Sequence, residues 1–441
     1  MRDFLKVAAF GLILGGCSSG EVPPDDSPLV DHFAANTPGD RLPECADSGG
    51  SDPIADYQCR WEYRALFLQN KLGLTLPLVA SETLATHNSY NSTHYFNSLE
   101  GGIAQADPNQ QISILDQLRL GARGLEFDVH FNWHIPSLSQ QALLCHSVCS
   151  GNDRLLRKGL QEIADFFMEP ANSREVVLLD IGDGDKGDQA GHLAILDDIE
   201  ATLGGIIFRP PADGSCHTFP LQLSKQDILE AGKHVLIHGG CGIGESWTAT
   251  VWANDRKQKA NDGFDAFPDC ESEFFSAEDY ANRYIRLWED ATFIGSFRPL
   301  EAIDGGVAAQ MQRCGVNMIS VDMLQPQDDV LTGVIWSWAA EQPPVHDGQS
   351  LCAKHNASGR FEAIDCQTRL PVACTRNDGE YLIARTPVSW DAAAQTCTAL
   401  SARFAVPRSA SRSQQLVQRK TEFGITELWI NSSETEDNLW H

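Results

Sequence analysis

Residues 117–131 read Gln117-Leu118-Arg119-Leu120-Gly121-Ala122-Arg123-Gly124-Leu125-Glu126-Phe127-Asp128-Val129-His130-Phe131. The run from Ala122 to Val129 is strand-like, and its two carboxylates, Glu126 and Asp128, stand at i and i+2. Period two in a strand sends both to one face, where they can hold a hard cation. Two histidines flank this segment, in Thr86-His87-Asn88-Ser89-Tyr90 and in Leu144-Cys145-His146-Ser147. Each follows or ends a short apolar run and so sits at a strand exit, where parallel α/β barrels place their chemistry. Two imidazoles facing one pocket can divide the roles of general base and general acid. Together these groups are the equipment for moving a phosphoryl group.

Outward from this core, strand-like runs alternate with helical patterns. The runs are Leu78 to Ala85, Ala122 to Val129, Ala142 to Cys145, Val176 to Ile181, His234 to Ile237, Tyr284 to Trp288 and Asn317 to Val321. Between them, Leu155, Leu156, Leu160, Ile163, Ala164 and Phe167 recur at helical spacing. Such alternation fits a parallel (β/α) barrel. Seven strands can be named, so closure as an eightfold barrel is an inference.

The chain opens with two cations, then an apolar run from Val7 to Leu14 that leads into Gly15-Gly16-Cys17-Ser18, the layout of a secretory signal. The cysteine at the cleavage site resembles a bacterial lipobox, which implies a signal over residues 1–16 and a lipid-modified Cys17. Removing Cys17 from the 13 cysteines leaves an even number, as suits disulfides in an oxidising compartment. Cys145 and Cys149 bracket His146 and can staple its loop. The net charge of −27 argues against nucleic acid as a partner. Residues 17–60, rich in Pro, Asp, Gly and Ser, read as a linker.

THNSYN, QLRLGARGLEFDVHF, ALLCHS and NSREVVLLDIGDG fall in the order of the X-region of phosphatidylinositol-specific phospholipase C and the wider phospholipase-C-like phosphodiesterase superfamily. The chain resembles that family over roughly residues 75 to 185. The resemblance implies a distorted TIM barrel that cleaves a phosphodiester by attack of a neighbouring hydroxyl. Carried over by position, His87 and His146 match the two family histidines. In the Ca²⁺-dependent branch an Asn follows the first histidine and acids lie on the next strand; these are Asn88, Glu126 and Asp128 here. The metal-independent branch has an Arg where this chain has Asp128, so the resemblance favours Ca²⁺ as cofactor. A phosphodiester transition state needs a positive charge near its non-bridging oxygens, from a guanidinium or from a metal ion. The fourth ligand falls among Asp180, Asp183 and Asp185. Asp180 is preferred, although a shift of two residues puts Gly182 there.

Plainer readings stand beside these. Glu126 or Asp128 can pair with Arg119 or Arg123, and a lone strand-end histidine is more often a surface or core residue. His130, His134 and His238 lie near strand exits without a supporting motif. Glu289, Asp290 and Asp322 end later strands and either line the pocket or form ion pairs at the rim.

After Val321-Asp322-Met323 the rhythm changes. Residues from Ile335-Trp336-Ser337-Trp338 to Cys374 resemble the second half of a C-type lectin-like domain, and Ser389 to Asn431 the first half. The reversed order reads as circular permutation, which is tolerated where termini are close, or as two partial copies or a truncated tail. The resemblance implies disulfides Cys374–Cys397 and Cys352–Cys366. Gln342-Pro343-Pro344 and Phe361-Glu362-Ala363 stand where that family carries its calcium and sugar triplets, so two ligand positions are missing.

The expected architecture is α/β: a distorted TIM barrel over residues 61–335, followed by a small disulfide-bonded α+β lectin-like domain over 336–441. The expected activity is that of a secreted, lipid-anchored phosphoric diester hydrolase acting on a phosphoinositide or related phosphodiester lipid. Its anchor places it at the bacterial cell membrane or outer membrane, and a glycan is a candidate partner of the carboxy-terminal module. The alternative is a cell-surface glycan-binding lipoprotein with an inactive barrel.

Overall fold

The structure is a computed structural model, described here for residues 48–98, 108–145, 149–183, 189–242, 244–259, 270, 283–290, 303–345, 351–434 and 440. The signal segment, Cys17, His146 and Asp185 lie outside the described residues, as does the side chain of Asp183. Among the described residues no helix is long and apolar enough to cross a membrane.

Ten strands build the first sheet: β1 (Thr83–Thr86), β2 (Gly124–His134), β3 (Ser139–Leu144), β4 (Arg154–Leu155), β5 (Val177–Asp183), β6 (Val235–Gly239), β7 (Trp252–Ala253), β8 (Lys257–Lys259), β9 (Ile285–Glu289) and β10 (Met318–Val321). Eight of them run in the order β7-β6-β5-β2-β1-β10-β9-β8, with every neighbouring pair parallel. The two ends of this curled sheet, β7 and β8, are halves of one segment, 252–259. Its first half pairs with β6 and its second with β9.

Strand periodicity sorts the side chains into two cores. Leu125, Phe127 and Val129 of β2, Val177, Leu179 and Ile181 of β5, and Val235 and Ile237 of β6 pack outward with helices Leu156–Met168 and Gln189–Leu203. The alternate residues turn into the lumen, where Ala85, Leu178, Leu236, Ile285, Leu287 and Met318 share one apolar cluster. Two residues further along each inward row, the apolar side chains give way to His87, Asp180, His238, Glu289 and Ser320. The floor of the lumen is therefore oil and its mouth is polar, as the period of two requires.

Two expectations need correction. Ala142–Cys145 is not a barrel strand: β3 pairs antiparallel with β2, His130 facing Leu143 and His134 facing Ser139, so it is the return arm of a hairpin. The linker ends before residue 60, because helix Pro53–Gln58, capped by the Asp52 carboxylate, buries Ile54 and Tyr57 in the main core.

The carboxy-terminal region forms a second sheet from β11 (Leu351–His355), β12 (Phe361–Asp365), β13 (Leu370–Thr375), β14 (Tyr381–Val388), β15 (Arg403–Phe404) and β16 (Leu428–Ser433). Its order is β12-β11-β16-β13-β14, with β15 on β13, so residues before and after the apparent reversal share one sheet. Cys352–Cys366 and Cys374–Cys397 are disulfide-bonded, as are Cys145–Cys149, Cys216–Cys241 and Cys270–Cys314. Trp429 is fully buried, and the Trp390 indole donates to Ile430 O at 2.9 Å.

The second sheet is joined to the barrel by a common core. One cluster runs from Leu66, Ile319 and Val321 of the barrel through Trp336 and Trp338 to Phe361, Leu416 and Ile430. At the crossing, buried Gln69 donates to Val334 O at 2.8 Å and accepts from Trp336 N at 2.8 Å, Ser337 N at 3.1 Å and Ser337 Oγ at 3.1 Å. Gln69→Leu leaves these buried groups without partners, each worth about 1–3 kcal/mol. Chemical denaturation is expected to show a loss of about 3 kcal/mol or more; a loss below about 1 kcal/mol contradicts this role.

Candidate active site

His87 follows β1, and its ring is fixed from the neighbouring strand. Nδ1 lies 3.0 Å from Asp322 Oδ1, one residue past β10, so the ring's Nδ1–H is the hydrogen-bond donor. The segment 108–112 clamps the two strand ends together. Gln110 Nε2 donates to His87 O at 2.8 Å and to Val321 O at 2.9 Å, and Asn109 Nδ2 donates to Asp322 Oδ1 at 3.2 Å. On the other side of the ring, Nε2 lies 3.2 Å from Asn88 Nδ2 and 3.8 Å from Glu289 Oε1. Burial disfavours the imidazolium, but the Asp322 hydrogen bond and the charges of Asp322, Glu126 and Glu289 outweigh it, raising the His87 pKa to about 9.

The register of the barrel gathers the remaining groups. Glu126 on β2 is level with Asp180 on β5, which is level with His238 on β6. Glu126, Asp180, His238, Lys257 and Glu289 line one cavity at the lumen mouth. The Asn88 amide N–H points at Glu126 Oε2 at 3.4 Å, and Asn88 itself adopts φ 44°, a left-handed conformation that asparagine tolerates. Asp128 accepts from Tyr90 Oη at 3.2 Å and leans over Gly182, where a Cβ would lie 2.2 Å from Asp128 Oδ1. Glycine at 182 is what leaves room for that carboxylate.

Arg119 and Arg123 are engaged elsewhere. Arg123 pairs with Glu175 at 2.7 Å, and Arg119 with Asp116 at 2.9 Å and Asp52 at 3.2 Å. The salt-bridge reading of Glu126 and Asp128 with these arginines is thereby set aside. Asp180 has a different partner, Lys257 Nζ of β8, with which it forms an ion pair. His238 Nδ1 stands 3.4 Å from Asp180 Oδ1, outside good hydrogen-bond geometry. Burial alone lowers the His238 pKa to about 4, so its ring is neutral.

The oxygen donors of Asn88, Glu126 and Asp128 fit a hard divalent cation in their chemistry. Asp180 fits less well, because an ammonium already neutralises it. His146 lies outside the described residues; the cysteines on either side of it in the sequence, Cys145 and Cys149, are disulfide-bonded. Glu289 and Asp322 face the site, whereas Asp290 accepts from Ile303 N at 3.3 Å and Asp322 N at 3.4 Å at the rim. Asn109, Gln110 and Lys257 carry no sequence signal that marks them.

Residues 51–328 match the model of the Rv2075c PI-PLC-like domain. The chain belongs to this family. Two relatives, the uncharacterized proteins Rv2075c and MT2135 of Mycobacterium tuberculosis strains H37Rv and CDC 1551, are each 31% identical over 389 residues, 82% of this chain and 77% of theirs. Among solved structures, the phosphatidylinositol-specific phospholipase C of Listeria monocytogenes aligns over 59% of this chain and 94% of its own at 15% identity, with a TM-score of 0.41. A calcium-dependent phosphoinositol-specific phospholipase C from Pseudomonas sp. aligns over 58% and 95% at 13% identity, with a TM-score of 0.37. The family thus supplies a PI-PLC-like domain whose lumen mouth, in this chain, combines the imidazoles of His87 and His238, a lysine and a group of carboxylates.

A folded-state pKa raised from 6.5 to about 9 stabilises the native state most below the lower value, and that stabilisation fades as pH rises through the upper one. In metal-free protein, NMR titration is expected to find His87 well above 6.5 and Asp322→Asn to bring it down. The pH-dependent stability difference between the two proteins should be full below about pH 6.5 and gone above about pH 9. A His87 that titrates alike in both contradicts the assignment.

Proposed function

We propose that this chain is a phosphoric diester hydrolase of the phospholipase C type, acting on a phosphoinositide or related phosphodiester lipid. The observation that carries the reading is His87 locked by Asp322 at the mouth of a PI-PLC-like barrel, beside Glu126 and Glu289, whose charges favour its imidazolium. The attacking hydroxyl is the substrate's own neighbour of the phosphate. Its oxygen bonds to phosphorus as the bond from phosphorus to the lipid alcohol breaks. One proton leaves the attacking hydroxyl and another reaches the departing alcohol, and the imidazoles of His87 and His146 divide these two transfers. With Nδ1–H given to Asp322, His87 presents Nε2 to the substrate.

Asn88, Glu126 and Asp128 are the residues that would hold Ca²⁺, with Asp180 as the fourth donor in competition with Lys257. When bound, the cation would offset charge on the non-bridging oxygens and acidify the attacking hydroxyl. Gly182 keeps the Asp128 carboxylate in its place, and Tyr90 orients it. The lipobox-like Cys17 supports attachment to a membrane surface. Two disulfides and one shared sheet support a permuted lectin-like reading of the carboxy-terminal domain, with glycan as its candidate ligand.

Release of phosphorylated head group from a panel of inositol, glycerol and sphingoid phosphodiester lipids tests the reading. His87→Ala and His146→Ala are each expected to lose about 10²- to 10⁴-fold in turnover with the fold intact. A chelator should abolish activity and added Ca²⁺ restore it. Near-wild-type turnover in either variant rejects the acid–base pair, and full activity in chelator rejects the metal.

A further inference from the structure

A second polar cleft lies at the seam between the barrel and the carboxy-terminal domain, and it shares no lining residue with the lumen mouth. Its walls are helix Gly305–Arg313, the turn from β11 to β12, and helix Ala410–Glu422, around a shallow space open to solvent. Arg313 and Arg360 both line it, and none of its described lining residues is an Asp or Glu. That inverts the composition of the chain, which has 60 acids to 33 bases.

Three features point to a ligand there. The first is Arg360, half-buried, whose guanidinium has no carboxylate partner among the described residues and faces the like charge of Arg313. Burial, and then that charge, lower its pKa to about 10, so it remains a cation at neutral pH. The second is Gln312, which lines the cleft, is only 4% exposed, and has an Oε1 without a hydrogen-bond partner. A terminal amide can turn either its carbonyl or its NH₂ toward a ligand. The third is Gly359, at φ +85°, where a Cβ would lie 2.7 Å from Val417 Cγ2. Only glycine lets this turn approach the helix so closely, and Arg360 follows directly from it.

Two guanidiniums on one cleft repel each other, and an oxyanion between them reverses the sign of that interaction. Arginine's planar fork also matches phosphate and sulfate oxygens with two hydrogen bonds at once. Glu82, which bonds to the cleft residue Ala410, is committed: its Oε1 accepts from Ala410 N at 2.7 Å, and burial raises its pKa to about 8.

We propose that this seam cleft binds a small oxyanion of the phosphate or sulfate class, held by Arg360 and Arg313 with the Gln312 amide. The ligand touches the barrel and the carboxy-terminal domain together, so its binding tightens their attachment by mass action. The site is independent of the chemistry assigned to the lumen.

The test uses the full chain carrying His87→Ala, so that phosphate held by the lumen imidazole does not mask the seam. Calorimetric titration with inorganic phosphate, sulfate and glycerol phosphate, against chloride at equal ionic strength, is expected to reveal one saturable site and a ligand-dependent rise in Tm. Arg360→Gln and Arg313→Gln should each weaken binding tenfold or more, while Gln312→Leu weakens it less. Equal affinity for inorganic and glycerol phosphate identifies a free anion as the ligand; preference for glycerol phosphate identifies a phosphorylated head group. Absence of a saturable site, or unchanged affinity in Arg360→Gln, overturns the proposal. Should Arg360→Gln fail to fold, Arg360→Lys keeps the charge and loses the fork; it should bind several-fold more weakly, and unchanged affinity there overturns the proposal equally.

Discussion

The contact between His87 Nδ1 and Asp322 Oδ1, at 3.0 Å, is the constraint on which the rest of the site depends. It joins residues 235 positions apart in the chain, and it exists only because β1 and β10 are adjacent parallel strands. Gln110 reinforces that adjacency by donating to the carbonyls of both His87 and Val321, so the imidazole and its carboxylate are set by backbone geometry. The acids around them then have their effect through distance. Glu126 and Glu289 face the same ring and hold its charge against the cost of burial. The other edge of the ring, Nε2, lies beside Asn88 Nδ2 at 3.2 Å and Glu289 Oε1 at 3.8 Å.

The second consequence of the curled sheet is how it ends. Because segment 252–259 breaks between its pairing with β6 and its pairing with β9, its second half delivers Lys257 into the lumen opposite β5. The ammonium meets Asp180, the residue that the family resemblance nominated as the fourth metal ligand. One carboxylate therefore has two claimants for its charge. Meanwhile the shared core through Trp336, Trp338 and Phe361 makes the carboxy-terminal domain part of the barrel's packing. A module merely tethered by a linker would not bury Gln69 against Val334, Trp336 and Ser337.

Much of this was legible in the sequence, for identifiable reasons. Alternation in Leu125-Glu126-Phe127-Asp128 fixed which side chains enter the lumen, and apolar runs located β1, β5, β6, β9 and β10. An apolar run carries no direction, however, and so Ala142–Cys145 read as a parallel strand although it returns antiparallel on β2. Strands β7 and β8 span two and three residues, too short for any period to show, and Lys257-Gln258-Lys259 looks like a solvated loop. His238 carried no motif and read as a plain surface or core histidine, yet it is buried beside Asp180 and lines the lumen cavity. Gln110 acts through backbone carbonyls and Asn109 through the distant Asp322 carboxylate, roles that leave no pattern in the residues themselves.

The central claim is that Asp322 acts through His87, fixing its ring and charge, and a double-mutant cycle on turnover of a soluble phosphodiester measures it most directly. Asp322→Asn should lower kcat/KM by about tenfold or more in the wild-type background, and it should cost nothing further once His87→Ala is present, since residues that act as a unit are non-additive. Losses that simply add would show that Asp322 and His87 work separately, and would contradict the account.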